Sequence, residues 1–397
     1  MKMGKCVWLL LGVTPLLAGC GDFWQPPSGG SGGGGTTSTT LSSGNFYVIN
    51  KGTSQIVAYS INSGKLNQVG AYSLAAAPTA IAIAPSGTFL YVSTAVGIYV
   101  YEIGSSGGLT VGNSGGVVSS DPASAIAVDP TGAWLVDAVQ GSGGVQLDAT
   151  PITASGAYTG AAVGSRQYAL AGASINQIAI SGDDHYVFVA AGQGGTVYVP
   201  FTPGNANPLA SSGTLISPVT GGGSALSVAV DPSSTAPRLF YVGETLASGG
   251  NTGGLRVFDY SSLGSATLTQ VAGSPFASGG LAPNAILPLS SGAYAGEYVY
   301  VGNGKGTGKA GNICGFSITS SNGSYSVATG NTVSSGFQPN GLAEDNKSNF
   351  VLAVSQGGSF DLEAYFFDTT TAGKLDDTIN STTGTDPTQA FAVAAAP

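Results

Sequence analysis

From Asn45 onward one short phrase keeps returning: an aromatic residue or leucine, a β-branched run, then a small or polar stop. It stands as "NFYVIN" (45–50), "FLYVST" (89–94), "WLVDAV" (134–139), "YVFVAA" (186–191), "LFYVGE" (239–244), "YVYVGN" (298–303) and "FVLAVS" (350–355), seven copies. No other feature constrains the fold as strongly, because short repeats bury their apolar faces against one another. A second phrase precedes each copy after the first, as in "PTAIAIAPSG" (78–87), "ALSVAVDPSS" (225–234) and "PNAILPLSSG" (283–292). Its last copy, "PTQAFAVAA" (387–395), has no phrase after it, and "NFYVIN" has none before it. The two orphans complement each other. A third phrase follows each aromatic copy, as in "QIVAYSI" (55–61) and "ICGFSI" (313–318), and a weaker fourth run usually comes next.

Each run is short, rich in Val, Ile, Tyr and Phe, and bounded by Gly, Pro, Ser or Asn, which is strand chemistry. Helical periodicity is absent beyond the first residues. Four strands repeated at roughly 45–60 residues define a β-propeller blade. We therefore expect an all-β, seven-bladed propeller over residues 44–397, with four-stranded antiparallel blades. Its ring would be closed by the C-terminal strand joining the N-terminal blade. In "QIVAYSI" both alternating faces are apolar, as required of a sheet packed between two neighbours.

The first residues are a processing signal. Lys2 and Lys5 precede a short apolar run ending in Leu17-Ala18-Gly19-Cys20. That tetrapeptide resembles the bacterial lipobox, whose cysteine is acylated; an ordinary secretory peptide is the alternative. Residues 1–19 are read as a lipoprotein signal peptide, Cys20 as the lipidation site and 20–43 as a flexible Gly/Ser/Thr tether. The chain would then be exported and held on the bacterial cell envelope through lipidated Cys20. Net charge is −9 with only 11 Lys plus Arg, so no basic surface for nucleic acid can form. We expect a monomeric binding or scaffolding protein with no cofactor, whose partners are a membrane and either a polar small molecule or an envelope protein.

The loop "GNGKGTGKAGN" (302–312) has the look of a phosphate cradle. Asn303 stands where a phosphate-binding loop needs its first glycine, Ala310 stands where it needs Ser or Thr, and no helix is expected to follow. It reads as a glycine-rich hairpin turn. Cys314, the one cysteine in the folded part, reads as a small buried hydrophobe. Neither zinc-type nor EF-hand spacing is present, so no metal is expected.

The phrases "YVIN" (47–50), "YVST" (91–94) and "YVGN" (300–303), with "PTAIAIAPSG" (78–87), resemble the YVTN-type repeats of lactonase-like propellers. That family includes propeller-type 6-phosphogluconolactonases and carboxymuconate cyclases. The resemblance implies a site at the mouth of a central channel, with His, Arg and Glu acting on a lactone. The positions matching the family's His or Arg are Thr79, Ala123, Asn284, Asn340 and Thr388, none of which is a base near neutral pH. His185 falls at the other end of an inner strand and reads as a polar residue on a surface turn.

What the mouth does offer is amides: Asn50, Asn176, Asn284, Asn303 and Asn340, with Lys305 in a long loop. These are the candidate ligand-binding residues, suited to neutral polar ligands; solvated turn residues are the alternative. Asp137 and Glu344 break the core pattern where other copies have apolar residues, and Glu244 ends a second strand. A carboxylate in such a place is costly unless paired. These three are the candidate catalytic residues for the rival reading, a 6-phosphogluconolactonase-like lactone hydrolase; for Asp137 and Glu344 a slipped alignment or a wet blade edge is the alternative.

Overall fold

The structure is a computed structural model that describes residues 41–153, 163–232, 238–263, 268–306, 308–321, 324–381 and 386–397. The signal peptide, Cys20 and most of the tether lie outside the described residues. The chain is an all-β propeller of antiparallel four-stranded blades. Each aromatic phrase becomes a strand whose middle residues are fully buried, as in Phe89–Thr94 and Leu239–Glu244.

Five separate four-stranded sheets form. In four of them the strands follow chain order, as in Pro78–Ile83, Phe89–Thr94, Gly97–Ile103 and Leu109–Val111. In the fifth, the last strand Ala390–Ala395 pairs antiparallel with Asn45–Asn50, which continues to Gln55–Asn62 and Lys65–Ser73. The head and tail phrases thus lie side by side, Val48 opposite Val393.

The expectation of seven separate sheets is not met. Residues 173–277, expected to give two blades, form one nine-stranded sheet. Its two halves are linked by a single residue pair, Gly192 with Ala225. The cause is local. Strand Tyr186–Gly192 runs beyond the residues that pair with its hairpin partner, which leaves Gly192 to meet Ala225.

Packing explains the doubly apolar strands. In Gln55–Asn62, Ile56 and Ala58 meet Leu90, Val92 and Tyr101 of the following sheet. Val57, Tyr59 and Ile61 turn the other way, onto Phe350, Leu352 and Leu362. Inner strands end in a short polar residue that caps the return. Asp129 accepts from the Trp134 N–H (2.6 Å), Ser181 from Tyr186 (2.9 Å) and Asp345 from Phe350 (2.7 Å). The glycine-rich loop is a hairpin connection between Tyr298–Gly304 and Gly311–Ser321, with positive φ at Gly306 and Gly308 where only glycine is unstrained. Cys314 is buried, and burial pushes its thiol pKa up.

Candidate functional site

A cavity of about 310 Å³ lies where the first strands of the repeats converge. Its lining comes from Pro78–Ile83, Ala125–Val128, Ala173–Ile180, Ala225–Val230, Ala282–Pro288, Pro339–Glu344 and Ala390–Ala395. The local reason is a β-bulge at the start of these strands. Register slips between Pro78 and Ala80, Pro283 and Ala285, Pro339 and Gly341, and at the stretch opposite Ile49 and Asn50. The skipped residues are Thr79, Asn284, Asn340 and Phe391, and all four line the cavity. A bulged residue leaves the ladder and its side chain is re-aimed, here toward the centre. Proline suits the position before the bulge because it has no N–H to offer a ladder.

The polar part of the lining is uncharged. Asn176 Nδ2 donates to the Ala225 carbonyl (2.8 Å), and Gln177 Oε1 accepts from the Val228 N–H (3.2 Å). Thr79 Oγ1 donates to the Ala123 carbonyl (2.7 Å), and Asn340 Nδ2 lies 3.5 Å from Gln356 Oε1. These three amides are each anchored at one end, which leaves Asn176 Oδ1, Gln177 Nε2 and Asn340 Oδ1 for a ligand. The Asn284 amide makes no hydrogen bond to the described residues. Below this rim the walls are apolar: Ile81, Ile126, Ile178, Ile286, Leu342 and Val393. Among the described residues no carboxylate, imidazole, ammonium or guanidinium lines the cavity.

Of the expected ligand-binding residues, Asn176, Asn284 and Asn340 are brought together here. Asn50 is turned into the protein, where its Oδ1 accepts from the Thr53 N–H (3.2 Å). Asn303 is fully buried and donates to the Ser278 and Val301 carbonyls. Lys305 is exposed on the hairpin loop and does not reach the cavity lining. Two matches drawn from the sequence need correction. Ala123 is buried, with its carbonyl taken by Thr79 and Ser93, and the bulged position of the last strand is Phe391, not Thr388. Sequence reasoning also missed Lys51, whose ammonium lies 3.2 Å above the Phe391 ring centroid and whose pKa burial lowers. A cation–aromatic pair across a non-local bulge leaves no trace in spacing.

The three acids expected to activate water are scattered. Glu244 is fully buried and ion-paired with Arg256 Nη1 (2.6 Å), and it accepts from the Val219 N–H (3.0 Å). Arg256 is further held by the Ser217 carbonyl (2.9 Å) and Gln270 (3.1 Å). Glu344 staples two sheets by accepting from Ser290 N–H (2.7 Å), Ser290 Oγ (3.0 Å) and Ser291 Oγ (3.0 Å). His185 is 69% exposed on its turn, 3.6 Å from Asp183.

Asp137 sits mid-sheet, opposite Asp148 in the neighbouring strand Gly144–Pro151. With Asp121 they bring three carboxylate oxygens within 4.8 Å of one another. Burial first, then Asp148 and Asp121, push the Asp137 pKa up to about 8. At an effective dielectric of about 20, each ionised pair at this separation repels by about 3–4 kcal/mol. Asp121 and Asp148 also escaped the sequence reading. Asp148 was within reach of it, because a hairpin turning between Gly141 and Gly144 sets 148 opposite 137.

No protein-family model matches the chain, and no curated protein matches it. Solved structures do. The chain is similar to the periplasmic gluconolactonase of Pseudomonas aeruginosa, with TM-score 0.65 and 18% identity over 90% of this chain and 100% of that one. It is similar to a candidate 6-phosphogluconolactonase of Bacteroides fragilis, with TM-score 0.64 and 15% identity over 90% and 99%. A protein from Lactobacillus plantarum gives TM-score 0.64 and 16% identity over 89% and 99%. At these identities the likeness is one of fold alone, and it agrees with a β-propeller.

Proposed function

We propose that this chain is an exported, lipid-anchored, seven-bladed propeller that binds a neutral polar ligand, or a partner presenting one, in its central cavity. One observation carries the reading. The bulged residues at the rim supply amides and a hydroxyl in Thr79, Asn284 and Asn340, and among the described residues no titrating group lines the space. Such a lining suits sugar-like hydroxyls, with apolar walls below for the less polar face. The blade count takes the nine-stranded sheet as two blades, which its single linking pair and the seven strands lining the cavity support. Closure by the last strand draws support from its pairing with Asn45–Asn50.

Hydrolysis of a lactone is the alternative. What favours it is the shared fold with gluconolactonases; against it stands the dispersal of Asp137, Glu244 and Glu344 into three separate networks. The test is calorimetric titration of the full chain with neutral sugars, beside a panel of lactones assayed for hydrolysis. We expect saturable sugar binding weakened at least about tenfold by Asn284→Ala, the loss of one or two hydrogen bonds, and lactone decay no faster than in buffer. Lactone turnover that drops in Asp137→Asn or Glu344→Gln would replace the binding reading with the enzymatic one. For the anchor, Cys20→Ser should move the protein from the membrane to the soluble fraction; an unchanged distribution removes the lipid from the proposal.

A further inference from the structure

We infer that Asp121, Asp137 and Asp148 form a binding site for one hard divalent cation of the calcium, magnesium or manganese type. The site lies between the sheet containing Trp134–Gly141 and the one containing Gly97–Ile103. Three carboxylates, drawn from a loop and two adjacent strands, present oxygens that all fall within 4.8 Å of one another. Oxygens spaced around a calcium-sized ion at about 2.3–2.6 Å sit at such separations.

A second observation points to a missing positive partner. Asp137 is fully buried, and among the described residues neither of its carboxylate oxygens has a hydrogen-bond partner. Buried carboxylates are ordinarily satisfied, and a bound cation would satisfy this one. The hydroxyl of Thr150, two residues beyond Asp148 on the same strand face, is also fully buried and has no partner among the described residues. No ion pair reaches any of the three acids among the described residues.

The two flanking acids are held in place as ligands usually are. Gln146 Nε2 donates to Asp148 Oδ2 (2.7 Å), and Ser119 Oγ donates to Asp121 Oδ2 (2.8 Å). Leu135, on the same strand face as Asp137, packs in an apolar cluster with Ile98, Val100, Val118 and Ile126. Asp121 is half-exposed on its loop and gives the ion a way in. An all-oxygen set without His or Cys selects a hard cation over zinc or copper. None of the three acids lines the central cavity, so the site stands independently of the ligand proposed there.

The test uses the full chain, stripped with chelator and titrated with Ca²⁺, Mg²⁺ or Mn²⁺, read by calorimetry and thermal melting, with Mn²⁺ also followed by electron paramagnetic resonance. One cation should bind with a stoichiometry of one and raise the melting midpoint by about 3–4 °C at a hundredfold excess over Kd. Asp121→Asn, at a half-exposed loop position, should fold normally and weaken binding at least about tenfold. Asp137→Asn should melt higher than the native chain in chelator and no longer respond to the cation. Absence of binding by all three cations, or binding that both variants retain at full strength, would overturn the site.

Discussion

Glu244 and Asp137 are both buried acids on second strands, yet they meet opposite neighbours. Glu244 lies opposite the third-strand stretch that carries Arg256, and the pair is closed off from water, Glu244 fully and Arg256 to 9% exposure. Removing one member of such a pair leaves an uncompensated buried charge. Arg256→Met should therefore destabilise by about 3–5 kcal/mol, and the double variant with Glu244→Gln should recover most of that loss. Urea unfolding of the two variants beside the native chain measures this, and a double variant as weak as Arg256→Met alone would show that the guanidinium acts through packing. That Asp137 and Glu344 break the apolar pattern was legible in the sequence. What each break meant was not: one carboxylate meets two serines of another sheet, the other meets two more acids.

At the scale of the element, the tyrosine in the third place of the aromatic phrase ties one blade to the next. Tyr47 donates to the Gly107 carbonyl (3.0 Å) and Tyr300 to the Gly373 carbonyl (2.6 Å), each in an outer hairpin of the following sheet. Tyr241 holds the same place in its phrase, but its buried hydroxyl has no partner among the described residues. Phenylalanine at 47 or 300 should thus cost about 1–2 kcal/mol, whereas Tyr241→Phe should stay within about 0.5 kcal/mol of the native chain. Equal losses at all three would mean that the ring, not the hydroxyl, carries the contact. The strands themselves were legible because alternation and turn residues are local. The bulges that aim Thr79, Asn284 and Asn340 inward were half-legible, through the proline that precedes each of them. Phe391 has no such marker, and its position emerged only from the register against Ile49 and Asn50.

For the molecule as a whole, the strand Ala390–Ala395 is the inner neighbour of Asn45–Asn50 and contributes Ala390 and Val393 to the apolar cluster shared with Phe350 and Leu352. Deleting residues 387–397 would leave an unpaired edge facing the centre and part both the cluster and the cavity wall. The truncated chain should lose its single sharp melting transition and bind hydrophobic dye; a melt matching the intact protein would show that the ring does not depend on its tail.

The repeat alone determined that this chain would build small antiparallel sheets of four strands and stack them face to face, because hydrophobic alternation and turn chemistry are written within a few residues. It also determined that head and tail would share a sheet, since each carried the phrase the other lacked. Only the tertiary structure decided that Gly192 fuses two of those sheets, that Glu244 is neutralised while Asp137 is not, and that Lys51 rests on Phe391. Those outcomes depend on distances between residues far apart in the chain, and no local pattern encodes which charge a folded neighbour will bring.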